Sequence, residues 1–424
     1  MARSVERPKR ERRTRLTARL QRGAAVRGHP ATMSAIGIEA EFVVVMDGHP
    51  VKPEDVFGSP RRIVRGPLMH RTGRSYHLPT GSAVYFDTGV IELATPMIEI
   101  DRGCAARAGR SLWESILFLR RELDFWQEQH ARDVNLVGFS THYNVSFDLP
   151  EAERGPDRTV EKLALLLTYL LPAPVMLLAA NRQSTGIGVR PRGNRVEITA
   201  DFTPDAALMI ATATLVVGIV RDVMSWPSYD LSVLDSAEGR ALPRFRDFAP
   251  VPHSSRKGWV ARHSCFSRNP FMAHVDQDQW EVSGSESLTL REIAGRLTKH
   301  FWPSIRRYAD PFTLRLIGNV MAGRAPSLLE LADRPPAYES VGRLCAWEHS
   351  LFPEHELPRS RYERVLIRAI HGDRLRLGAD EWYTPTGMRG WSHVVFRRER
   401  DRSKRIFSLD YLLRHLDDWE AGNR

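Results

Sequence analysis

Four segments of this 424-residue chain alternate apolar and polar side chains strictly enough to fit β-strands, and in each the polar set is chemically reactive. In IGIEAEF (36–42), Glu39 and Glu41 share one face while Ile38 and Ala40 share the other, because successive side chains of a strand point to opposite sides. In AVYFD (83–87), Tyr85 and Asp87 align, and Glu92 follows in IELATP (91–96). In THYNVSF (141–147), His142, Asn144 and Ser146 line one face against Tyr143, Val145 and Phe147. In NRVEITA (194–200), Arg195, Glu197 and Thr199 align against Val196 and Ile198.

The apolar faces need a cover, and three helix candidates can supply it. One carries the stripe Leu112, Ile116, Leu119, Leu123 and Trp126 with Ser111 as its cap. A second occupies 160–180, where Pro172 and Pro174 imply a bend. A third starts at Thr203 as N-cap, with Pro204 in the first turn and Asp205 near the positive end of the dipole. Residues 47–80 read as loops or a short hairpin. Beyond about residue 250 the chain is loop-rich and basic (Arg256, Lys257, Arg262, Arg268), then helical at 287–305, 359–371 and 408–420, the last closed by Gly422. Strands and helices without regular βαβ alternation predict an α+β fold with a largely antiparallel sheet. The expected units are a basic arm (1–32), a main domain (33–285) and a smaller, mostly helical C-terminal region (286–424).

Charge and cysteine usage narrow the functional classes. The formal charge is +10, but residues 1–30 carry ten Lys/Arg against Glu6 and Glu11, a net +8 that leaves the other 394 residues at +2. The basicity therefore belongs to an arm, whose alternatives are a solvated extension or a contact with nucleic acid or a membrane surface. The arm lacks the apolar core of a signal peptide. The three cysteines, Cys104, Cys265 and Cys345, lack zinc spacing and fit a reducing, cytoplasmic compartment. The uncharged run 163–180 approaches membrane-spanning length, but its two prolines favour a bent core helix, and no membrane role is expected.

If the polar faces converge, Glu39, Glu41, Glu92 and Glu197 repel one another unless cations neutralise them. Oxygen ligands without thiolates favour Mg²⁺ or Mn²⁺, and Mg²⁺ held this way commonly bridges nucleotide phosphates, which His142, Asn144 and nearby arginines such as Arg195 suit. The plain alternative is four half-exposed strands whose acids face water and pair with arginines. Periodicity alone does not decide between them. No phosphate-binding GxxxxGK[ST], HExxH, GxSxG or GxGxxG motif competes.

The motifs resemble a known family. GIEAEF (37–42) is similar to the opening strand of the family containing the ligase and the depupylase of prokaryotic ubiquitin-like protein, within the glutamine-synthetase-like carboxylate–amine ligase superfamily. YFDTGVIELATP (85–96), THYN (141–144) and RVEITADFTPDAAL (195–208) resemble later motifs in the family's order, over roughly residues 34–225. TPTGMRGW (384–391) resembles a C-terminal nucleotide loop of the same family. The resemblance implies a curved sheet backed by helices, ATP with Mg²⁺ or Mn²⁺ as cofactors, and carboxylate and amine substrates, a small protein modifier among them. It implies metal binding by Glu39, Tyr85 and Glu92, catalysis by Asp87, and nucleotide contact by Thr95. It assigns Glu41, His142 and Glu197 as supporting metal or phosphate ligands. Four features depart from the family pattern: Ala83 replaces an arginine, Met97 an acid and Thr199 a second arginine, and the Asp87–Glu92 spacing is one residue short. The implied activity is amide or isopeptide formation, with hydrolysis by a deamidase or isopeptidase, or an inactive binding module, as alternatives.

Overall fold

Strand β1 (Ala35–Met46) buries Ile36, Ile38, Ala40, Phe42, Val44 and Met46 on one side and turns Glu39 and Glu41 to the other, as the two-residue period requires. The computed structural model describes residues 34–147, 155–254, 257–345, 357–377 and 381–421. The arm 1–32, Arg256 and Gly422 lie outside the described residues.

Around β1 the chain builds a 12-stranded sheet. Its further strands are β2 (His49–Val51), β3 (Met69–Thr72), β4 (Ser75–His77), β5 (Ala83–Asp87), β6 (Val90–Ala94), β7 (Ile98–Glu99) and β8 (Val134–Ser146). Then come β9 (Ile187–Arg192), β10 (Arg195–Asp201), β11 (Val251–Pro252) and β12 (Trp259–Ala261). The order is β11-β12-β9-β10-β8-β1-β6-β5-β4-β3, with β2 and β7 also pairing with β1. Every pair in this sheet is antiparallel.

One irregularity keeps the central pair in phase. The β1–β8 register slips between Glu41 and Phe42, so that Phe139 is an extra residue on β8 between Ser140 and Gly138. Phe139 is pushed outward and is 54% exposed. A bulge of this kind re-aims side chains locally, and here it leaves Ser140 and His142 facing Glu41 and Glu39. Gly138 permits it, because a Cβ there would collide with the Phe202 ring.

The buried face is covered by α1 (Cys104–His130), α2 (Val160–Leu170), α3 (Pro172–Ala179) and α4 (Ala206–Met224). The expected stripe of α1 is buried at Leu112, Ile116, Leu119 and Leu123, but the helix starts before Ser111, at the N-cap Gly103. The alanine-rich turn after Gly103 extends it, since alanine is the best helix former, and Ser111 is an interior, buried residue. For α4 the cap is Asp205, whose carboxylate accepts from the Leu208 N–H at 2.8 Å, and not Thr203. By length and composition α4 is the one described helix able to cross a membrane, and α2 with α3 forms only a span bent by 65°. In α4, 78% of the apolar window is buried by the protein itself, which suits a core helix.

The hydrophobic cores do not follow the expected 33–285 and 286–424 units. Helices α5 (Leu290–His300), α6 (Trp302–Tyr308) and α7 (Pro311–Met321) join the first core through Leu290, Ile293, Leu297, Ile305 and Ile317. A second core gathers α8 (Arg361–His371), α9 (Leu409–Arg414) and α10 (Leu416–Ala421) with Met69 of β3. It also contains a four-stranded antiparallel sheet, β15-β16-β17-β18, that the sequence reading missed (Leu375–Arg376, Trp382–Arg389, His393–Arg398 and Lys404–Ser408). A separate hairpin, β13 (Gln279–Val282) with β14 (Glu286–Thr289), precedes α5. The C-terminal part is therefore mixed and not mostly helical. Pro385 and Gly387 read as loop signals, and they sit at a register shift within β16. The whole is α+β, a large antiparallel sheet backed by helices plus a smaller C-terminal unit, as expected.

Gly218 of α4 sets how closely α6 approaches, for a Cβ there would lie 2.5 Å from Ile305 Cγ1 and 2.7 Å from its Cα. Gly218→Ala gains about 1 kcal/mol of helix propensity, but overpacking against backbone costs about 1–3 kcal/mol. We expect net destabilisation, read as a lower urea midpoint at unchanged slope; a raised midpoint would mean α6 yields freely.

Candidate metal centre

The strand order β5-β6-β1-β8-β10 brings the four polar faces side by side. Register then fixes the neighbours. Tyr85 faces Glu92, Glu92 faces Glu41, Glu39 faces His142, and Glu197 faces Asn144. Ligand atoms of Glu39, Glu92 and His142 all lie within 4.8 Å of one another. His142 is the hub: its Nδ1 is 3.4 Å from Glu39 and 4.0 Å from Glu197, and its Nε2 is 3.7 Å from Glu41. The Tyr85 hydroxyl donates to Glu92, and the Ser140 hydroxyl donates to Glu41 at 2.5 Å.

Crowding acids in a buried place has an electrostatic cost, visible in how the groups hold their protons. Burial and the charge of Glu39 push Glu92 up to about 8, against the hydrogen bond from Tyr85 and the charge of His142. Burial also acts to raise Glu39, but hydrogen bonding and charge from His142, with Arg195 behind, bring it below its ordinary value. For His142, burial favours the neutral ring, yet Glu39, Glu41 and Glu197 outweigh it and the pKa rises. Burial, Glu39 and Glu92 hold Tyr85 well above the usual phenol range. Glu197, 2% exposed, is neutralised differently: Arg190 pairs with it, and Arg192 donates through Nε at 2.9 Å and Nη2 at 3.2 Å.

Glu39, Glu41, Tyr85, Glu92, His142 and Glu197 are thus brought together. The remaining sequence candidates stand around them. Asp87 shares the Tyr85 face but sits at the exposed end of β5, where the Thr88 hydroxyl donates to it at 2.9 Å. Thr95 is buried beside β1, its Oγ1 accepting from the Ile38 N–H at 3.0 Å. Asn144 accepts from Arg195 Nε at 2.7 Å, while its Nδ2 is buried with no acceptor among the described residues.

Sequence reasoning missed Arg190 and Arg192, although their i, i+2 spacing in IGVRPR marks a shared strand face. It also missed Arg71 of β3, in the stretch read as loops or a short hairpin, which pairs with β4 as such a hairpin. The Arg71 guanidinium lies 5.3 Å from the Tyr85 ring centre and 5.2 Å from that of Trp391. Burial lowers the Arg71 pKa, opposed by Tyr85, Glu39 and Glu92, so this cation is electrically part of the cluster. Arg71 also lines a cleft of about 640 Å³ between β3 and the C-terminal sheet, with Arg389, Arg397, Arg402 and Lys404 and no carboxylate among the described lining residues.

The donor set, carboxylates with a phenol and an imidazole and no thiolate, suits a hard divalent cation. The proton held on Glu92 marks where positive charge is wanted.

No family model matches the sequence, and no match is found among curated proteins. Among solved structures, the chain is similar to the crystal structure of the complex between prokaryotic ubiquitin-like protein Pup and its ligase PafA. The identity is 12%, the alignment covers 93% of this chain and 96% of that one, and the TM-score is 0.47.

Proposed function

We propose that this chain is an ATP- and Mg²⁺-dependent carboxylate–amine ligase that forms an amide or isopeptide bond. The observation that carries the reading is the meeting of Glu39, Glu92 and His142 within 4.8 Å, with Tyr85 and Glu41 beside them. Mg²⁺, or Mn²⁺ in its place, would be held by Glu39, Glu92 and Tyr85 with Glu41, His142 and Glu197 in support, and would offset charge on nucleotide phosphates.

The chain's own residues would do the rest. Arg71 and the cation-lined cleft offer charge for a polyphosphate, and Asn144 Nδ2 offers a buried donor. Thr95 and Arg195 would contact or brace the nucleotide side. In the reaction, an oxygen of the substrate carboxylate attacks the γ-phosphorus and ADP leaves, giving an acyl phosphate. The amine then attacks the acyl carbon, phosphate leaves, and Asp87 takes the amine proton. A small protein modifier as carboxylate substrate and a cytoplasmic location belong to the same reading.

The solvent-exposed position of Asp87 equally favours a second reading, hydrolysis by a deamidase or isopeptidase of the same fold, in which Asp87 would activate water. Mg²⁺-dependent binding and hydrolysis of ATP by the full chain test the first reading. ADP released in step with amide product is expected. No nucleotide binding with either Mg²⁺ or Mn²⁺ would overturn it, and turnover supported by a non-hydrolysable ATP analogue would favour hydrolysis.

A further inference from the structure

On the far side of the molecule from the cluster, three arginines meet around a cavity of about 690 Å³. Arg102 stands in the turn before α1, and Arg306 and Arg307 stand in α6. The Gly103 N–H donates to the Tyr308 carbonyl at 2.7 Å, which ties the two segments together. Pro303, Ala309, Pro311 and Leu314 complete the lining, and no carboxylate is among its described residues. Helix α6 packs against α4 at Gly218, and α4 covers the apolar face of the sheet. The helix layer and the sheet therefore lie between this cavity and Glu39, Glu92 and His142.

The arrangement leaves positive charge unbalanced. Asp101, next to Arg102, is paired with Arg107. Asp310, three residues after Arg307, caps α7 by accepting from the Thr313 N–H at 2.9 Å. None of the three arginines has an ion-pair partner among the described residues. Arg291 of the neighbouring α5, by contrast, binds both Asp276 and Glu330. Like charges held together without a counter-charge repel, and the fork of a guanidinium matches the oxygens of a phosphate. Phe312, adjacent in the chain to the lining residue Pro311, is 46% exposed and offers an aromatic ring for stacking. A cavity of this size accommodates a nucleotide.

We propose that this cavity is a second nucleotide site, binding the phosphates of a nucleoside triphosphate on Arg102, Arg306 and Arg307 and its base on Phe312. Three guanidiniums supply the counter-charge themselves, so binding there needs no divalent metal. ATP at this site is thus separable from ATP at the cluster, and the proposal does not depend on the ligase reading.

Calorimetry of ATP, tripolyphosphate and inorganic phosphate on the full chain in chelator reads this site while metal-dependent binding at the cluster is silent. ATP and tripolyphosphate should each bind about tenfold or more tightly than phosphate, the worth of one further charge-assisted hydrogen bond. Arg306→Gln combined with Arg307→Gln should remove that advantage. Both side chains are exposed, so folding should hold. If a thermal melt shows otherwise, Arg102→Gln carries the same expectation in reduced degree. Phe312→Ala should weaken ATP about fivefold or more and leave tripolyphosphate unchanged, as expected for a base stacked on an aromatic ring.

No ATP binding in chelator, or binding that survives the arginine substitutions, overturns the proposal. So does Phe312→Ala acting equally on both ligands, because the base would then have no part. A single-stranded RNA that binds more tightly than ATP through the same arginines would make this surface a nucleic-acid contact and overturn it as well. Loss of Mg²⁺-dependent nucleotide binding with this site intact overturns the ligase reading alone.

Discussion

Asp87→Asn should leave Mg-ATP affinity within about twofold of wild type while lowering turnover by about 10²–10⁴-fold, the range over which a positioned general base accelerates a step. The two effects separate because of where Asp87 sits. It is on the Tyr85 face of β5, yet it lies at the exposed end of the strand and is not one of the group Glu39, Glu92 and His142 whose ligand atoms lie within 4.8 Å of one another. Asparagine keeps the side chain's size and can still accept the hydrogen bond from Thr88, so folding should be unaffected. What it cannot do is take a proton. Steady-state ADP release and equilibrium nucleotide binding, measured on one preparation, check this. A variant that loses binding and turnover together would place Asp87 among the metal ligands. A variant that keeps full turnover would leave the reaction without this base.

Glu92→Gln should act in the opposite way, weakening Mg²⁺-dependent nucleotide binding by about 100-fold or more, since even partners outside the ligand shell cost 10–100-fold. Glu92 is 3% exposed and, without metal, keeps its proton to about pH 8 because of burial and Glu39. Metal binding must expel that proton, so at pH 7 it should release roughly one proton and tighten as pH rises.

The sign for stability follows from the same shift. Below the ordinary glutamate value of 4.5 both folded and unfolded chains hold the proton. Between 4.5 and about 8 only the folded chain does, so metal-free stability falls as pH rises through that window. His142, also raised, adds to the same trend. Glu39, lowered, acts oppositely and only at acid pH. Thermal melts in chelator from pH 5 to 8.5 should therefore decline, and the shift produced by Mg²⁺ should grow over the same range. Glu92→Gln should flatten the decline and abolish the growth. A Mg²⁺ shift that is equal at pH 6 and pH 8.5 would mean that no protonated carboxyl is displaced.

Ala83 leaves β5 without a cation, but Arg71, two strands away on β3, reaches over the Tyr85 ring. It arrives there from a bulge in the β3–β4 pairing, between His70 and Thr72, which no short-range signal in HRTGRSY announced. Trp391 covers its other side, so the C-terminal unit and the main sheet share this one guanidinium.

The sequence by itself determined which residues share a face. The two-residue period of a strand put Glu39 with Glu41, Tyr85 with Asp87, His142 with Asn144 and Arg195 with Glu197, because side-chain direction in a strand is local geometry. It likewise determined that α1, α2–α3 and α4 would lie over the apolar side, since their stripes have nowhere else to be buried. Strand order and register were decided only by the tertiary structure, because ladder hydrogen bonds join backbones that look alike at every residue. The β5-β6-β1-β8-β10 order turns four separate faces into one cluster, and the Phe139 bulge keeps Ser140 and His142 in it. The balancing cations Arg71, Arg190 and Arg192, and the small C-terminal sheet behind Trp391, are decided at that level too. Their meaning depends on what they face, and what they face is remote in sequence.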